Sequence, residues 1–446
     1  MLLDFSCVNF KAFQDGFEFE MQPNKRLTEL KHSLLSEEIN GKEVNALSAS
    51  VIYGPNASGK TTLVHAMSCF RQILLRGNIE DLEDDRIGDH VSANMKLIPF
   101  RFEDKKKPVE FDITFTHESV KYRYRLSIVM GNFLIENSPR YINEEQLFVN
   151  DELIFERTAD SVTTLKLNSV ENLLNVGYDL DDVEKYRIIM ANNVTPVSLL
   201  LVTDFYSFCS KTIVASIKEW FLKQFIVVNS SDRKSFFPHM PENEGKVMID
   251  FYINEIAKEA GIIGSDFAYA PDAETHSTKL VSVLNRDNEI LSGIDSEQIE
   301  SVGTMRLISI MPIILSALKR GAVLVMDEMD ASLHPMIVMN IITLFHNDEV
   351  NINRAQIIFN THNPIYLNRK LLRRDEIKFV ERDKYTKSSC LYALSDFKTN
   401  GELSVRKTSD YMKNYFVNRY GAIENIDFTD IVMELISDEK SRNKEA

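Results

Sequence analysis

The chain has 446 residues, 44% hydrophobic and 26% charged, the make-up of an ordinary globular protein and not of a disordered, fibrous or low-complexity one. Its 51 Lys+Arg against 66 Asp+Glu give a net charge of −15, which opposes non-specific adhesion to nucleic acid over most of the surface. Four cysteines, Cys7, Cys69, Cys209 and Cys390, form no C-x-x-C pair, so neither a zinc site nor a disulfide framework is expected and a reducing cytoplasm fits best.

The start meets a charge at Asp4, and no apolar stretch is expected to approach the roughly 20 residues that cross a bilayer, so no membrane partner is implied. Basic runs at Lys105-Lys106-Lys107, Arg369-Lys370 and Arg373-Arg374, and an acidic run from Glu80 to Asp85, read as solvated faces and loops. In chain order, the first hundred residues read as strands leading to Leu47–Tyr53, a short β-prone run, followed by a glycine-rich turn and a helical pattern from Thr61 to Leu75. From about 100 to 155 apolar and polar residues alternate (Phe111, Ile113, Phe115; Tyr122, Tyr124, Leu126, Ile128), which predicts an antiparallel flap with one wet face. From 160 to 285 the pattern turns helical, with candidates at Ser198–Cys209, Thr212–Phe225 and Gly245–Glu259. A helical run with Pro312 inside it follows at Leu307–Leu318. Two apolar runs, Ala322–Met326 and Gln356–Phe359, read as buried parallel strands. No heptad pattern supports a long coiled-coil arm.

Four motifs carry chemistry. Gly54-Pro55-Asn56-Ala57-Ser58-Gly59-Lys60-Thr61, with Thr62 behind it, fits G-x-x-x-x-G-K-[ST]. Successive backbone N–H groups at a helix N-terminus point at phosphate oxygens, Lys60 reaches the β/γ-phosphates of ATP and the Thr61 hydroxyl meets Mg²⁺. Val323–Met326 delivers Asp327 and Glu328 to a strand end. Asp327 would hold Mg²⁺ through its water shell, and Glu328, turned the other way by strand alternation, would orient and deprotonate the attacking water. His362, after the strand that ends in Asn360-Thr361, could donate to the γ-phosphate. The fourth is Ser301-Val302-Gly303-Thr304 ahead of a helix. It is either a second anion site or a plain N-cap in which Ser301 or Thr304 opens a core helix, and the residues alone leave both readings open.

Together these residues resemble the ABC-type ATPases of the SMC, Rad50 and RecF kind. Cys7–Phe13 is similar to the opening strand of that family and Gly54–Thr61 to its Walker A. Ser301–Thr304 is similar to its signature motif, Asp327-Glu328 to Walker B, Ser332-Leu333-His334-Pro335 to the D-loop and His362 to the switch histidine. More narrowly, S-x-G-T-x-R at Ser301–Arg306, the D-E-x-x-x-S-L-H-P block, T-H-N, Arg374–Phe379, Tyr392–Phe397 and Arg419–Ile423 look like the AAA-15/21 family of stand-alone bacterial ATPases. That group includes RloA-like and abortive-infection ATPases and the AriA subunit of the PARIS system.

The resemblance implies an α/β P-loop NTPase with an ABC-type head split along the chain. Lobe I with its β flap would span 1–159, an inserted helical lobe 160–285, and lobe II with a C-terminal helical tail 286–446. It also implies ATP sandwiched between two protomers, Gly54–Thr61 of one facing Ser301, Gly303 and Thr304 of the other, in a dimer or a higher homo-oligomer. The sequence departs from the pattern twice. No Q-loop glutamine stands between Phe100 and Phe115. The residues after His362 hold no D-x-D or H-N-H arrangement, so a nuclease, Toprim-like or other, would be a separate partner, and a viral protein or DNA would be the trigger. A DNA repair or recombination ATPase of the RecF/Rad50 type is the alternative. A transporter motor ranks last, because the signature departs from L-S-G-G-Q.

Overall fold

Alternating apolar side chains along two large sheets explain how the computed structural model is layered. It describes residues 1–80, 97–102, 107–131, 139–229, 248–262, 265–272, 277–286, 289–397, 405, 409–424 and 426–436. The acidic residues 81–85, Lys105, Lys106 and the start of the helix expected from Gly245 lie outside the described residues.

The central sheet has the order Phe225–Val228, Val323–Met326, Gln356–Asn360, Ala49–Tyr53, Ile377–Arg382, Ser389–Ala393. The first five strands are parallel and the last is antiparallel. Its inner strands are continuous apolar runs because both faces are covered. Val323 and Val325 enter one core, while Leu324 and Met326 enter the other. Ile358 and Ile52 likewise oppose Ile357, Phe359, Val51 and Tyr53.

The second sheet is fully antiparallel, with the order Val162–Leu165, Glu152–Thr158, Tyr141–Val149, Val120–Val129, Val109–His117, Leu2–Val8, Phe17–Glu20. Between the sheets lies the helix Lys60–Arg76, whose Leu63, Val64, Met67, Phe70, Ile73 and Leu74 are buried. The Phe70 ring sits 5.2 Å from Phe111 and 5.8 Å from Phe221. Trp220 stacks on Phe115 at 4.0 Å and on Phe225 at 5.0 Å. Burial of each such ring or aliphatic side chain is worth about 1.5–3 kcal/mol, so this layer fixes the helix that begins at Lys60. The two sheets are joined directly by Gln356, whose Oε1 accepts from Leu2 N (2.5 Å) and whose Nε2 donates to Leu2 O (3.0 Å) and Leu47 O (2.9 Å).

The opposite face of the central sheet carries the helices Val302–Arg320 and Pro335–His346. Val302–Arg320 runs through Pro312 as one element. It is also long and apolar enough to cross a membrane, which corrects the expectation that no stretch approaches that length. Half of it is buried inside the protein, and it serves as a core helix through Leu307, Ile308, Ile310, Met311, Ile314 and Ala317.

The span 160–285 also differs from the helical lobe expected of it. It supplies the edge strand Phe225–Val228 to the central sheet and the strands Asp266–Asp272 and Ser277–Arg286 to a four-stranded antiparallel sheet. Of its helix candidates, Ser198–Cys209 forms a 3-10 turn and a π turn, and Thr212–Phe225 an α-helix Lys211–Glu219 followed by a π turn. The third contains the α-helix Phe251–Glu259. The run Phe-Ile-Val-Val is too short to declare its period, and pairing with Val323–Met326 decides it.

Candidate functional site

The parallel strands Ala49–Tyr53, Gln356–Asn360 and Val323–Met326 all end at one edge of the central sheet, so the loops that follow them converge. Gly54–Gly59 leads from the first of these into the helix Lys60–Arg76. Gly59 caps that helix with φ 113°, and a Cβ there would lie 2.9 Å from Ser389 Oγ, so both conformation and space require glycine.

Lys60 is buried and makes no ion pair among the described residues. Its Nζ donates to Gly54 O (2.7 Å) and Pro55 O (2.8 Å). Burial pulls its pKa down to about 8 against the opposing pull of Asp327 and Glu328. Thr61 Oγ1 donates to Asp327 Oδ1 at 3.1 Å. The same carboxylate oxygen accepts from Asn360 Nδ2, and Asn360 Oδ1 accepts from the Glu328 backbone N–H, each at 2.5 Å. One amide therefore fixes both acidic residues. Glu328 has a left-handed φ of 50°, which turns its side chain away from buried Asp327 and out into the cavity; its carbonyl accepts from Arg306 Nη2 at 3.1 Å. Thr361 Oγ1 donates to Asp330 Oδ2 at 2.6 Å, and burial raises the Asp330 pKa. His362 shares the cavity wall with Lys60 and Glu328. Burial first, then the Lys60 charge, lowers its pKa, favouring neutral imidazole.

Lys60, Thr61, Glu328, Asn360 and His362 line a cavity of about 610 Å³. Among the described residues its wall carries Lys11, Lys60, Arg101 and Arg382 against one carboxylate, Glu328, a cationic hollow in a chain of net charge −15. Ser58 Oγ is buried in its wall without a hydrogen-bond partner among the described residues. A nucleotide triphosphate fits this donor set, and Thr61 Oγ1 with Asp327 offers the hard oxygen ligands that suit Mg²⁺.

The structure thus brings together Asn56–Thr62, Glu328 and His362, with Asp327 directly behind Thr61. Ser301, Gly303 and Thr304 do not line this cavity. Ser301 caps Val302–Arg320, its Oγ accepting from Thr304 N at 3.1 Å and lying 3.0 Å from Thr304 Oγ1. A Cβ on Gly303 would lie 2.7 Å from Ser332 O, so the turn packs on the loop that follows Glu328. Val302 is 64% exposed. The sequence motifs include Asn360, and Lys11 within Cys7–Phe13, without giving either a task, and they miss Arg101, Arg382 and Ser389. Of the expected Q-loop region, Phe100 to Phe115, Arg101 lines the wall, and Ile98 and Pro99 just before that region line it too.

A family model described as "AAA domain, putative AbiEii toxin, Type IV TA system" matches residues 49–147 and 202–368, more than half of the chain. No curated protein matches by sequence search. Solved structures similar to this chain include the SMC head domain from Thermotoga maritima, 12% identical with a TM-score of 0.36 over 88% of this chain and 98% of that one. The SmcHead bound to the C-winged helix domain of ScpA is 14% identical, with a TM-score of 0.36 and coverages of 88% and 97%. An Smc head domain with an extended coiled coil, bound to the C-terminal domain of ScpA derived from Pyrococcus furiosus, is 13% identical, with a TM-score of 0.34 and coverages of 88% and 96%.

Proposed function

This chain belongs to the AAA_21 family, and from that premise we propose that it binds and hydrolyses ATP with Mg²⁺ and uses turnover as a dimerisation switch. The observation that carries the proposal is the convergence of Lys60, Thr61, Glu328 and His362 on one cationic cavity, with Asp327 bonded to Thr61 behind its wall, while the Ser301–Thr304 turn caps a helix outside it.

In this reading Gly54–Gly59 and Lys60 hold the phosphates, and Thr61 with Asp327 holds the metal, which neutralises phosphate charge. Glu328 takes the proton from the attacking water, and His362 donates toward the terminal phosphate. The Ser301 hydroxyl, Gly303, Thr304 and the N-terminal dipole of Val302–Arg320 meet the terminal phosphate of a second copy, so attached phosphate closes the dimer and cleavage loosens it. At the level of biology the chain is a cytoplasmic sensor ATPase of a bacterial antiviral system, RloA-like or AriA-like, that restrains a separate nuclease or toxin until an infection cue arrives. The AbiEii toxin named in the family description supports this class over a DNA-repair ATPase.

Glu328→Gln tests the switch. It should bind ATP with near-native affinity, hydrolyse at least about a hundredfold more slowly, and accumulate dimers in light scattering. A variant that turns over at the native rate removes the base assignment. Co-purification with the product of a neighbouring gene tests the effector, whereas nucleic-acid cleavage by the chain alone would refute it.

A further inference from the structure

Beside the glycine-rich loop the cavity is flanked by a hairpin whose residues from Arg382 to Ser389 fall in none of the motifs. Ile377–Arg382 runs parallel to Ala49–Tyr53 with Phe379 beside Tyr53, so Arg382, three residues further on, stands at the edge where the phosphate loop opens, about 10 Å past that pair. The chain returns as Ser389–Ala393. Between these strands the turn is tied to both walls of the cavity. Ser389 Oγ donates to Ser58 O at 2.5 Å. On the other side Ser389 N donates to Ala12 O at 2.8 Å, and Ser388 Oγ accepts from Gln14 N at 3.1 Å. The hairpin therefore spans the site as a strut, and Gly59 lacks a side chain at the point where Ser389 presses on it.

Arg382 is the part of this strut that reaches the hollow. Its Nε donates to Lys387 O at 2.8 Å, which fixes the guanidinium plane, and its Nη1 lies 3.5 Å from Ala57 O, a contact at the limit of a hydrogen bond. It makes no ion pair among the described residues, and it lines the cavity. A guanidinium held by its own turn, lacking a carboxylate and facing a phosphate cradle is suited to forked bonds to phosphate oxygens.

We propose that Arg382 is a nucleotide-binding residue of this site, contacting the phosphate chain, and that Ser389 is a positioning residue that holds the Ser58 carbonyl outward so that neighbouring N–H groups face the phosphates. This rests on the ATP reading above. Binding is measured by calorimetry with ATP and with inorganic tripolyphosphate, on variants whose melting temperatures match the native protein. Arg382→Ala should weaken both ligands about ten- to a hundredfold. Arg382→Lys, which keeps charge without the fork, should fall between. Arg382→Gln keeps the length for the turn, provides a neutral second test should the alanine variant unfold, and should also bind weakly. Ser389→Ala should raise KM several-fold with kcat retained. Lys60→Ala is the control. If Lys60→Ala binds ATP as tightly as the native chain, the ATP site itself is misplaced. If Lys60→Ala loses binding while Arg382→Ala and Arg382→Gln match the native affinity, the role of Arg382 alone is overturned.

Discussion

The phosphate loop and the Ser301–Thr304 turn are built alike, each a small-residue turn opening a long apolar helix, yet they are used in opposite ways. The first is enclosed. Its lysine is buried on loop carbonyls, its threonine is bonded to Asp327, and a hairpin from the far end of the chain presses on it. The second satisfies itself with its own cap, Ser301 to Thr304, and leaves Val302 exposed. A turn closed by the fold is ready to hold a ligand on its own, whereas a turn that only caps its helix and faces outward is available to another surface.

The sharpest way to break this comparison is Lys60→Ala. ATP affinity should fall by at least about a hundredfold, since a buried charge opposite phosphate is removed, and native affinity in calorimetry would show that the enclosed turn is not the binding site. Next in size is Gly303→Val, whose Cβ meets Ser332 O. Hydrolysis should drop about tenfold or more while ATP binding to the single chain persists; equal losses of both would mean the two turns act as one site. Asn360→Leu leaves the Glu328 N–H without its acceptor and Asp327 with one donor fewer. It should cost about 1–3 kcal/mol in denaturant unfolding and slow hydrolysis, and an unchanged midpoint would show that the amide is dispensable.

The smallest effect concerns His65, on the helix behind the loop, where Nδ1 lies 3.3 Å from Lys11 Nζ. Burial, reinforced by Lys11, lowers its pKa from 6.5 to about 4. The unfolded chain then binds the proton first, so stability is full above about pH 6.5 and is lost as pH falls through about 4. His65→Gln should flatten that part of the profile, and an unaltered slope would assign the loss to other groups.

What could be read from the sequence was local. Gly54–Thr61, Asp327-Glu328 and Asn360-Thr361-His362 each occupy a strand end, and the apolar runs before them announce buried parallel strands, so the central sheet was legible at these points. The alternation from Phe111 to Ile128 was legible for the same reason, a period of two over many residues. Phe225–Val228 was not, because four apolar residues directly after a helical pattern have no period of their own and only Val323–Met326 makes them a strand. The apolar helix Val302–Arg320 was underestimated because Pro312 divides its pattern. Arg382 and Ser389 carried no signal at all, since their partners Ala57 and Ser58 lie 325 and 331 positions away.

Gln356–Asn360 is five residues long, and an amide side chain is anchored at each of its ends. Gln356 grips Leu2 of the neighbouring sheet and Leu47 of the strand Lys42–Leu47, and Asn360 grips Asp327 and the Glu328 backbone. A slip of one residue along this strand would turn both amides to the wrong face. Opening the strand locally would therefore require both anchors to release, so its N–H groups should be among the slowest to exchange with deuterium, at rates set by global unfolding.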